Sequence, residues 1–195
     1  MRGKRVIVAS ILVLAAALLA SGVIAGQFRS ADPEALHEAL TSGEVVQVAE
    51  IAAADGLARR GVFVQETDIG QLCLWDAASA SSLQRGGGCN AIDDPLGGSA
   101  VSASLAYDGG PAIETVRDAR LIGLADEDVA SVTVLMSDGS ERVVRLKKAK
   151  LSAGDFFAFG YRFKKADLRR GIGPIAVIAR GAGGGELARQ PTGIG

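Results

Sequence analysis

The stretch VASVTVLMSDGSERVVRL, residues 129–146, decides the fold class. Its two halves are short runs rich in β-branched residues, which favour strands that pack one face against a core. Between them stands Asp138-Gly139, a strong hairpin signal because glycine readily adopts the positive φ of a tight turn. The stretch therefore predicts an antiparallel β-hairpin.

Further segments with the same character lie on both sides of this hairpin. Each is short, apolar and bounded by Gly, Asp, Ser or Pro: residues 61–65, 71–75, 100–107, 119–124, 156–163 and 174–179. Many short strands separated by turn signals are typical of an antiparallel sandwich or barrel. We therefore expect a mainly β domain over residues 59–195.

The N-terminus carries the clearest targeting signal. Arg2, Lys4 and Arg5 precede the uncharged run VIVASILVLAAALLASGVIA, residues 6–25. Twenty apolar residues at about 1.5 Å rise span roughly 30 Å, the thickness of a bilayer core. Residues 1–25 are thus expected to be either a retained single-pass anchor or a signal peptide cleaved near Ala25. In both cases the basic start keeps the N-terminus in the cytoplasm and places the rest of the chain outside it.

Residues 26–58, between the apolar run and the β domain, are expected to form a helical stalk. Asp32 can cap the free amides of a helix whose first position is Pro33. A second helical run is expected over residues 44–55. Helical spacing would place apolar residues of the first helix on one face, namely Ala35, Leu36, Ala39 and Leu40.

Charge composition argues against nucleic acid as a partner. The chain has 21 basic and 22 acidic residues, a net charge of −1 at pH 7. Residues 1–25 hold three of the basic residues and no acidic one, so the remainder carries −4. Binding a phosphate backbone needs a clustered basic face, which this composition does not favour. The expected membrane contact is the apolar one, through residues 6–25.

The two cysteines, Cys73 and Cys89, are expected to form a structural disulfide. Fifteen residues separate them, whereas a redox pair is usually Cys-x-x-Cys. A zinc site needs about four ligands, and the chain adds only one histidine, His37. Export would supply an oxidising compartment, and closing a loop of this length stabilises by about 3 kcal/mol. Gly86-Gly-Gly88 is interpreted as a sharp turn before the second cysteine.

Catalytic signals are few. A single histidine argues against a Ser-His or Cys-His nucleophile pair. Asp93-Asp94 and residues 126–128 are carboxylate clusters that would serve a hydrolase only if they faced one cleft. Solvated turns are the alternative for both clusters. The run of glycines at 181–185 fits a hairpin turn better than a dinucleotide-binding loop, because no βαβ unit follows it. No cofactor and no metal are expected.

The segment FFAFGYRF, residues 156–163, contains five of the nine aromatic residues of the chain. In a strand, Phe157, Phe159 and Tyr161 share one face with Phe163, because side chains alternate with a period of two. Such a face can fill a sandwich core. Alternatively it can form an exposed binding stripe beside Lys164 and Lys165.

The order of these features resembles an uncharacterised group of actinobacterial secreted or single-pass membrane proteins. The resemblance rests on Arg59-Arg60-Gly-Val, on Gly-x-Leu-Cys-Leu at 70–74 with a second cysteine after glycines, and on LIGLADEDVASVTV at 121–134. Asp138-Gly139 and Gly-Gly-Glu-Leu-Ala-Arg-Gln at 184–190 complete it. It implies a domain that faces the cell envelope, and it implies no catalytic residues.

These observations lead to two functional expectations. The first is a non-catalytic cell-envelope module that binds a protein or a cell-wall component. The second is a small extracytoplasmic hydrolase that acts on envelope polymers through carboxylates such as Asp93 and Asp94.

Overall fold

The computed structural model describes residues 43–82, 86–110 and 112–192. Within these ranges, twelve strands form three four-stranded antiparallel sheets. The first sheet has the order β1 (Val45–Ile51), β2 (Arg60–Glu66), β3 (Gln71–Ala77) and β4 (Gly86–Ala91). The middle sheet has the order β5 (Val101–Gly109), β6 (Val116–Asp126), β10 (Gly154–Arg162) and β9 (Leu146–Leu151). The outer sheet has the order β12 (Glu186–Pro191), β11 (Pro174–Gly181), β7 (Val129–Met136) and β8 (Glu141–Val144). A 3-10 turn (Ile113–Thr115) and one short helix, α1 (Lys165–Arg169), complete the described elements.

The prediction of a mainly β, sandwich-like domain is confirmed. All eight segments predicted as strands contain a strand, and residues 129–136 coincide with β7. The hairpin after β7 closes as expected, because the amide of Met136 donates to the carbonyl of Ser140 at 2.8 Å. Gly139 takes a φ of +80° in that turn, a conformation that glycine adopts without steric cost.

The middle sheet is buried on both faces. One face packs against the outer sheet in a cluster built around Leu121, Phe159 and Val177. The opposite face packs against the first sheet in a second cluster around Ile51, Val62 and Ile122. Strand β6 is accordingly buried along almost its whole length. Three stacked sheets therefore enclose two separate hydrophobic layers.

The expectation of a second helix over residues 44–55 is wrong, because residues 45–51 form strand β1. This segment is rich in β-branched residues, which lose rotamer freedom in a helix and pack well on a pleated surface. It also pairs with β2, where Val46 lies opposite Val64, and it buries Val48 and Ile51. Residues 1–42, with the expected anchor and the first stalk helix, lie outside the described residues. Among the described residues, no helix is long and apolar enough to cross a membrane.

The interpretation of the three glycines before Cys89 as a turn is wrong. Gly86, Gly87 and Gly88 are extended in β4 and pair with β3. A Cβ atom at Gly87 would lie 2.0 Å from the carbonyl oxygen of Leu74. Glycine is needed here because the two backbones approach too closely for a side chain.

Candidate functional site

The two cysteines are joined as expected. Cys73 in β3 lies directly opposite Cys89 in β4, and their sulfur atoms are 2.04 Å apart. The bond ties the glycine-rich edge strand to its neighbour, a place where side-chain packing contributes little. Among the described residues no cysteine is free. The pair is therefore a structural link between strands.

The aromatic face of β10 mainly fills the core. Phe159 is fully buried, and Phe157 and Tyr161 pack partly buried against the same cluster between the middle and outer sheets. The ring of Phe159 is thus closed to any partner. Lys164 is exposed, while Lys165 is half-buried and its backbone amide donates to Asp55 Oδ2 at 2.9 Å. Burial raises the pKa of Tyr161, with Arg142 opposing this and Asp167 adding to it.

The carboxylates suggested for catalysis lie in turns. Asp93 and Asp94 are exposed between β4 and β5, and Asp94 Oδ1 accepts a 2.7 Å hydrogen bond from the amide of Gly98. In the turn between β6 and β7, Asp126 Oδ1 accepts from the amide of Asp128 at 3.0 Å. Each carboxylate cluster thus stabilises the turn in which it lies. Over residues 43–82, 86–110 and 112–192 there is no group of three or more His, Cys, Asp or Glu side chains that could hold a metal ion.

A groove of about 640 Å³ opens between the end of β1 and the corner that joins β8 to β9. One wall is formed by the end of β1 and the chain that follows it, including Glu50 and Ala52. The other wall carries Arg145 and Lys147, and β10 forms the floor. The sequence had pointed to only one of these residues, Tyr161, which lies in the floor. We call this region the corner groove.

The corner groove exists because the chain changes sheets at Arg145. Strand β8 belongs to the outer sheet, whereas β9, which begins one residue after Arg145, belongs to the middle sheet. Pairing of β9 with β10 therefore ends at Leu146 opposite Phe159. The last three residues of β10, Gly160 to Arg162, continue past the end of β9 while still paired with β6 on their other side.

The wall next to β1 is held in place by Arg162. Its guanidinium donates to the carbonyl oxygens of Ala52 at 2.8 Å and Ala58 at 3.0 Å. On its other side, Arg162 Nε donates to Asp118 Oδ1 at 3.1 Å. The connection between β1 and β2 is thus hydrogen-bonded to the strand that forms the floor of the groove.

Arg162 is the end of a larger network of ion pairs between the first and middle sheets. Asp118 also bonds Arg120, and Arg120 Nε donates to the buried Asp76 at 2.9 Å. Asp76 in turn accepts from Arg60. Burial alone would lower the pKa of Arg120, but hydrogen bonding to Asp108 and the charges of Asp76 and Asp118 raise it. Arg120 therefore stays charged, and its ion pair with Asp76 joins β6 of the middle sheet to β3 of the first sheet.

The corner groove itself has an excess of positive charge. Arg145 and Lys147 are exposed, and within the part of the chain that the structure describes neither makes an ion pair with a carboxylate. The one acid in the lining, Glu50, is paired with Arg59 at 3.1 Å. Two cations thus face solvent above a preformed floor, which is an arrangement that attracts an anionic ligand.

No protein-family model, no curated protein and no solved structure matches this chain. Function is therefore inferred from the chemistry of the corner groove together with the targeting signal in the sequence.

Proposed function

We propose that the protein is a non-catalytic extracytoplasmic module that binds an envelope protein or a cell-wall component through the corner groove. The observation that carries this proposal is the pair of uncompensated cations, Arg145 and Lys147, in a groove whose opposite wall is hydrogen-bonded to Arg162 of the floor. Binding sites are commonly concave and largely preformed, with a few placed polar groups. The positions of Asp93 and Asp94 in turns offer no comparable support for a hydrolase.

The extracytoplasmic location rests on two features. The first is the basic residues followed by the apolar run 6–25, read as an anchor or as a signal peptide cleaved near Ala25. The second is the Cys73–Cys89 disulfide, because such bonds persist in oxidising compartments. If the anchor is retained, the protein stays with the membrane fraction of its cells after a high-salt wash. Release into the wash would contradict a retained anchor.

Site-specific cross-linking in the native cells tests the binding module. A photoreactive amino acid replaces Ala52, an exposed residue of the groove wall. In a matched control it replaces Val143, which is 74% exposed on the outer face of the outer sheet. We expect a discrete adduct from position 52 that is absent from position 143 and is lost when Arg145 and Lys147 are both changed to alanine.

The same adducts from both positions, or no effect of the double substitution, would contradict the proposal that the corner groove is the binding site.

A further inference from the structure

We infer that the edge of β5 is a second interaction surface, to which an extended uncharged segment of a partner protein adds as a short strand. Strands β5 and β9 are the two opposite edges of the middle sheet, so this surface is separate from the corner groove. The inference goes beyond the function proposed for that groove and does not depend on it.

The backbone of β5 directs alternate residues to two sides. Ala103 donates its amide to Oε1 of Gln190 at 2.8 Å, and its carbonyl accepts from Nε2 of the same side chain at 2.9 Å. Both groups of Ala103 therefore point away from β6, and in an antiparallel pair every second residue does the same. The register with β6 is unbroken up to Asp108, so the amides and carbonyls of Leu105 and Tyr107 also point away from β6.

Nothing in the described part of the chain occupies the edge at Leu105 and Tyr107. Strand β5 is the last strand of the middle sheet on this side, and β6 is its one paired neighbour. No described group makes a hydrogen bond to the outward amide or carbonyl of either residue. Gln190 closes the edge at Ala103, and the register shifts at Gly109. The open stretch is thus 105–107.

The two edges of the middle sheet differ in how they are protected. Strand β9 carries Lys147, Lys148 and Lys150, and lysines on an edge strand discourage pairing with another chain. Strand β5, with the sequence VSASLAYDG, carries no charge before Asp108. Its open stretch therefore lacks the feature that protects β9.

A peptide strand fits what the open stretch offers. Leu105 and Tyr107 each present one donor and one acceptor, and residues two apart in a strand are separated by about 6.6 Å. An extended segment of about three residues would bond both. The side-chain amide of Gln190 already makes, at Ala103, the pair of bonds that such a segment would make at Leu105. Strand addition to a sheet edge is a recurring mode of peptide recognition, in which main-chain hydrogen bonds supply the affinity.

A groove of about 690 Å³ beside this edge leaves room for the added strand. One wall is the open stretch of β5, and the other includes Gly86 and Gly87 of β4, which have no side chains. Arg60 and Arg120 complete the lining together with Asp108. We call this region the edge groove.

The charges in the edge groove are already paired with one another. Arg60 is bonded to Asp76. Arg120 is bonded to Asp76 and to Asp108, at 2.9 Å each. A charged side chain on the incoming segment would therefore find no unpaired opposite charge. Tyr107 is 46% exposed and offers its ring to an apolar side chain of the added strand. The edge groove thus favours an uncharged segment with apolar residues on one face.

Amide hydrogen exchange of the full chain in detergent micelles tests whether the edge is open. We expect the amides of Leu105 and Tyr107 to exchange faster than those of Ser104 and Ala106, which face β6. Slow exchange at Leu105 and Tyr107 in the free chain would show that the edge is already closed, and would overturn the inference.

Peptide binding to the same preparation tests the occupant. The probe is a six-residue peptide of alternating valine and threonine with blocked termini. Two further peptides have glutamate or lysine in place of threonine, and two more carry N-methyl groups on the amides of one edge or of the other. We expect the uncharged peptide to bind most tightly and to slow exchange at Leu105 and Tyr107. N-methylation of one edge should abolish binding, while N-methylation of the other should leave it unchanged.

Two variants change the edge in opposite directions. Gln190→Ala opens Ala103 to the peptide and should strengthen binding about tenfold, because two more backbone hydrogen bonds become available. Tyr107→Lys should weaken binding about fivefold, because a cross-strand ring contact is lost. Ile175→Lys, at a side chain that is also 46% exposed, is the matched control and should have little effect.

The remaining outcomes separate this inference from its alternatives. Equal binding of the two N-methylated peptides, or no binding of any peptide, would overturn strand addition. Tighter binding of either charged peptide would overturn the assignment to an uncharged segment. Self-association of the full chain that Tyr107→Lys abolishes would mean that a second copy occupies the edge, and would overturn the assignment to a partner protein. None of these outcomes bears on the cross-links from the corner groove, which test the proposed function separately.

Discussion

The two faces of the middle sheet are formed by the same strands but are built differently. The face toward the outer sheet is apolar throughout its cluster, with Phe159 and Phe163 filling the space between sheets. The face toward the first sheet starts apolar at Ile122 and Leu124. It then changes to the ion-pair network of Arg120 and Asp118, two and four residues earlier in β6.

This difference separates two tasks of the domain. Burial of apolar surface is non-directional and supplies most of the stability. Buried ion pairs add little net stability, because desolvation of the charges offsets their attraction. They do hold particular groups at particular distances, and here they place Arg162 against the wall of the corner groove. The apolar face thus maintains the fold, and the charged end of the other face positions the site.

The largest expected loss of stability is at the apolar face of the middle sheet, which packs against the outer sheet. Phe159→Ala should lower the free energy of unfolding by about 4 kcal/mol, because it removes a fully buried ring and leaves a cavity. Urea-induced unfolding measures the loss. Val143→Ala, at a side chain that is 74% exposed, is the control and should change little. A loss below about 1 kcal/mol for Phe159→Ala would mean that the layer is not packed as described.

The second effect is at the charged end. Asp76→Ala should cost about 3 kcal/mol, because it leaves the buried guanidinium of Arg120 without one of its partners. The value is at the low end for a buried pair, since Asp118 and Asp108 still bond Arg120 and Arg60 is partly exposed. Urea unfolding of Asp76→Ala, Arg120→Met and the double variant forms a cycle. If the losses of unfolding free energy of the two single variants add up to that of the double variant, Asp76 and Arg120 are not coupled.

A third effect compares the room for an added side chain on each face of the middle sheet. Gly123 is on the face toward the outer sheet, and a Cβ there would lie 2.2 Å from Cζ of Phe159, the residue directly opposite in the same sheet. Gly160 faces the first sheet, and a Cβ there would lie 2.7 Å from Ile51 Cγ1. Overpacking costs about 1–3 kcal/mol, so Gly123→Ala should be near the upper end and Gly160→Ala near the lower. Urea unfolding of both variants checks the order, and the reverse order would show that Ile51 yields less to an added methyl group than the ring of Phe159 does.

Local patterns were sufficient for much of this fold. The period of two in residues 156–163 predicted that Phe157, Phe159 and Tyr161 share one face of a strand, and β10 places them on one face. Asp138-Gly139 located a hairpin correctly. Both predictions depend only on adjacent residues, where the chemistry of the chain acts directly. The disulfide followed from the count and spacing of cysteines together with the export signal.

The elements that were missed depend on contacts distant in sequence. Strand β4 was interpreted as a turn because glycine is depleted in strands, yet close approach to β3 requires glycine there. Strand β9 was missed because Lys147, Lys148 and Lys150 make it look like a loop. Lysines on an edge strand protect it from unwanted pairing, and that signal could have located it. The corner groove opens because β9 pairs with β10 only as far as Phe159. The point where this pairing stops depends on contacts between strands and not on adjacent residues.

The smallest expected effect lies on neither face of the middle sheet but on the outer face of the outer sheet, where charged pairs are exposed. Arg180 donates to both oxygens of Glu141 at 3.2 and 2.9 Å, and Arg189 donates to both oxygens of Glu186 at 3.0 and 2.8 Å. Hydrogen bonding to these arginines lowers the pKa of Glu141 and of Glu186 below the ordinary value of 4.5.

A lowered pKa in the folded state stabilises the protein above the pKa of the unfolded chain, and this contribution is lost as the pH falls through the folded value. Glu141→Gln with Glu186→Gln should therefore reduce the drop in the urea midpoint between pH 7 and about pH 3. Asp93→Asn with Glu127→Gln removes the same charge from exposed turns, and so separates loss of charge from loss of the arginine contacts. Both pairs are exposed and screened by solvent, so we expect a change in stability much smaller than that of Asp76→Ala. A change as large as that one would contradict the conclusion that burial between the sheets supplies most of the stability. It would mean that stability in this domain resides on its charged surface instead of between its sheets.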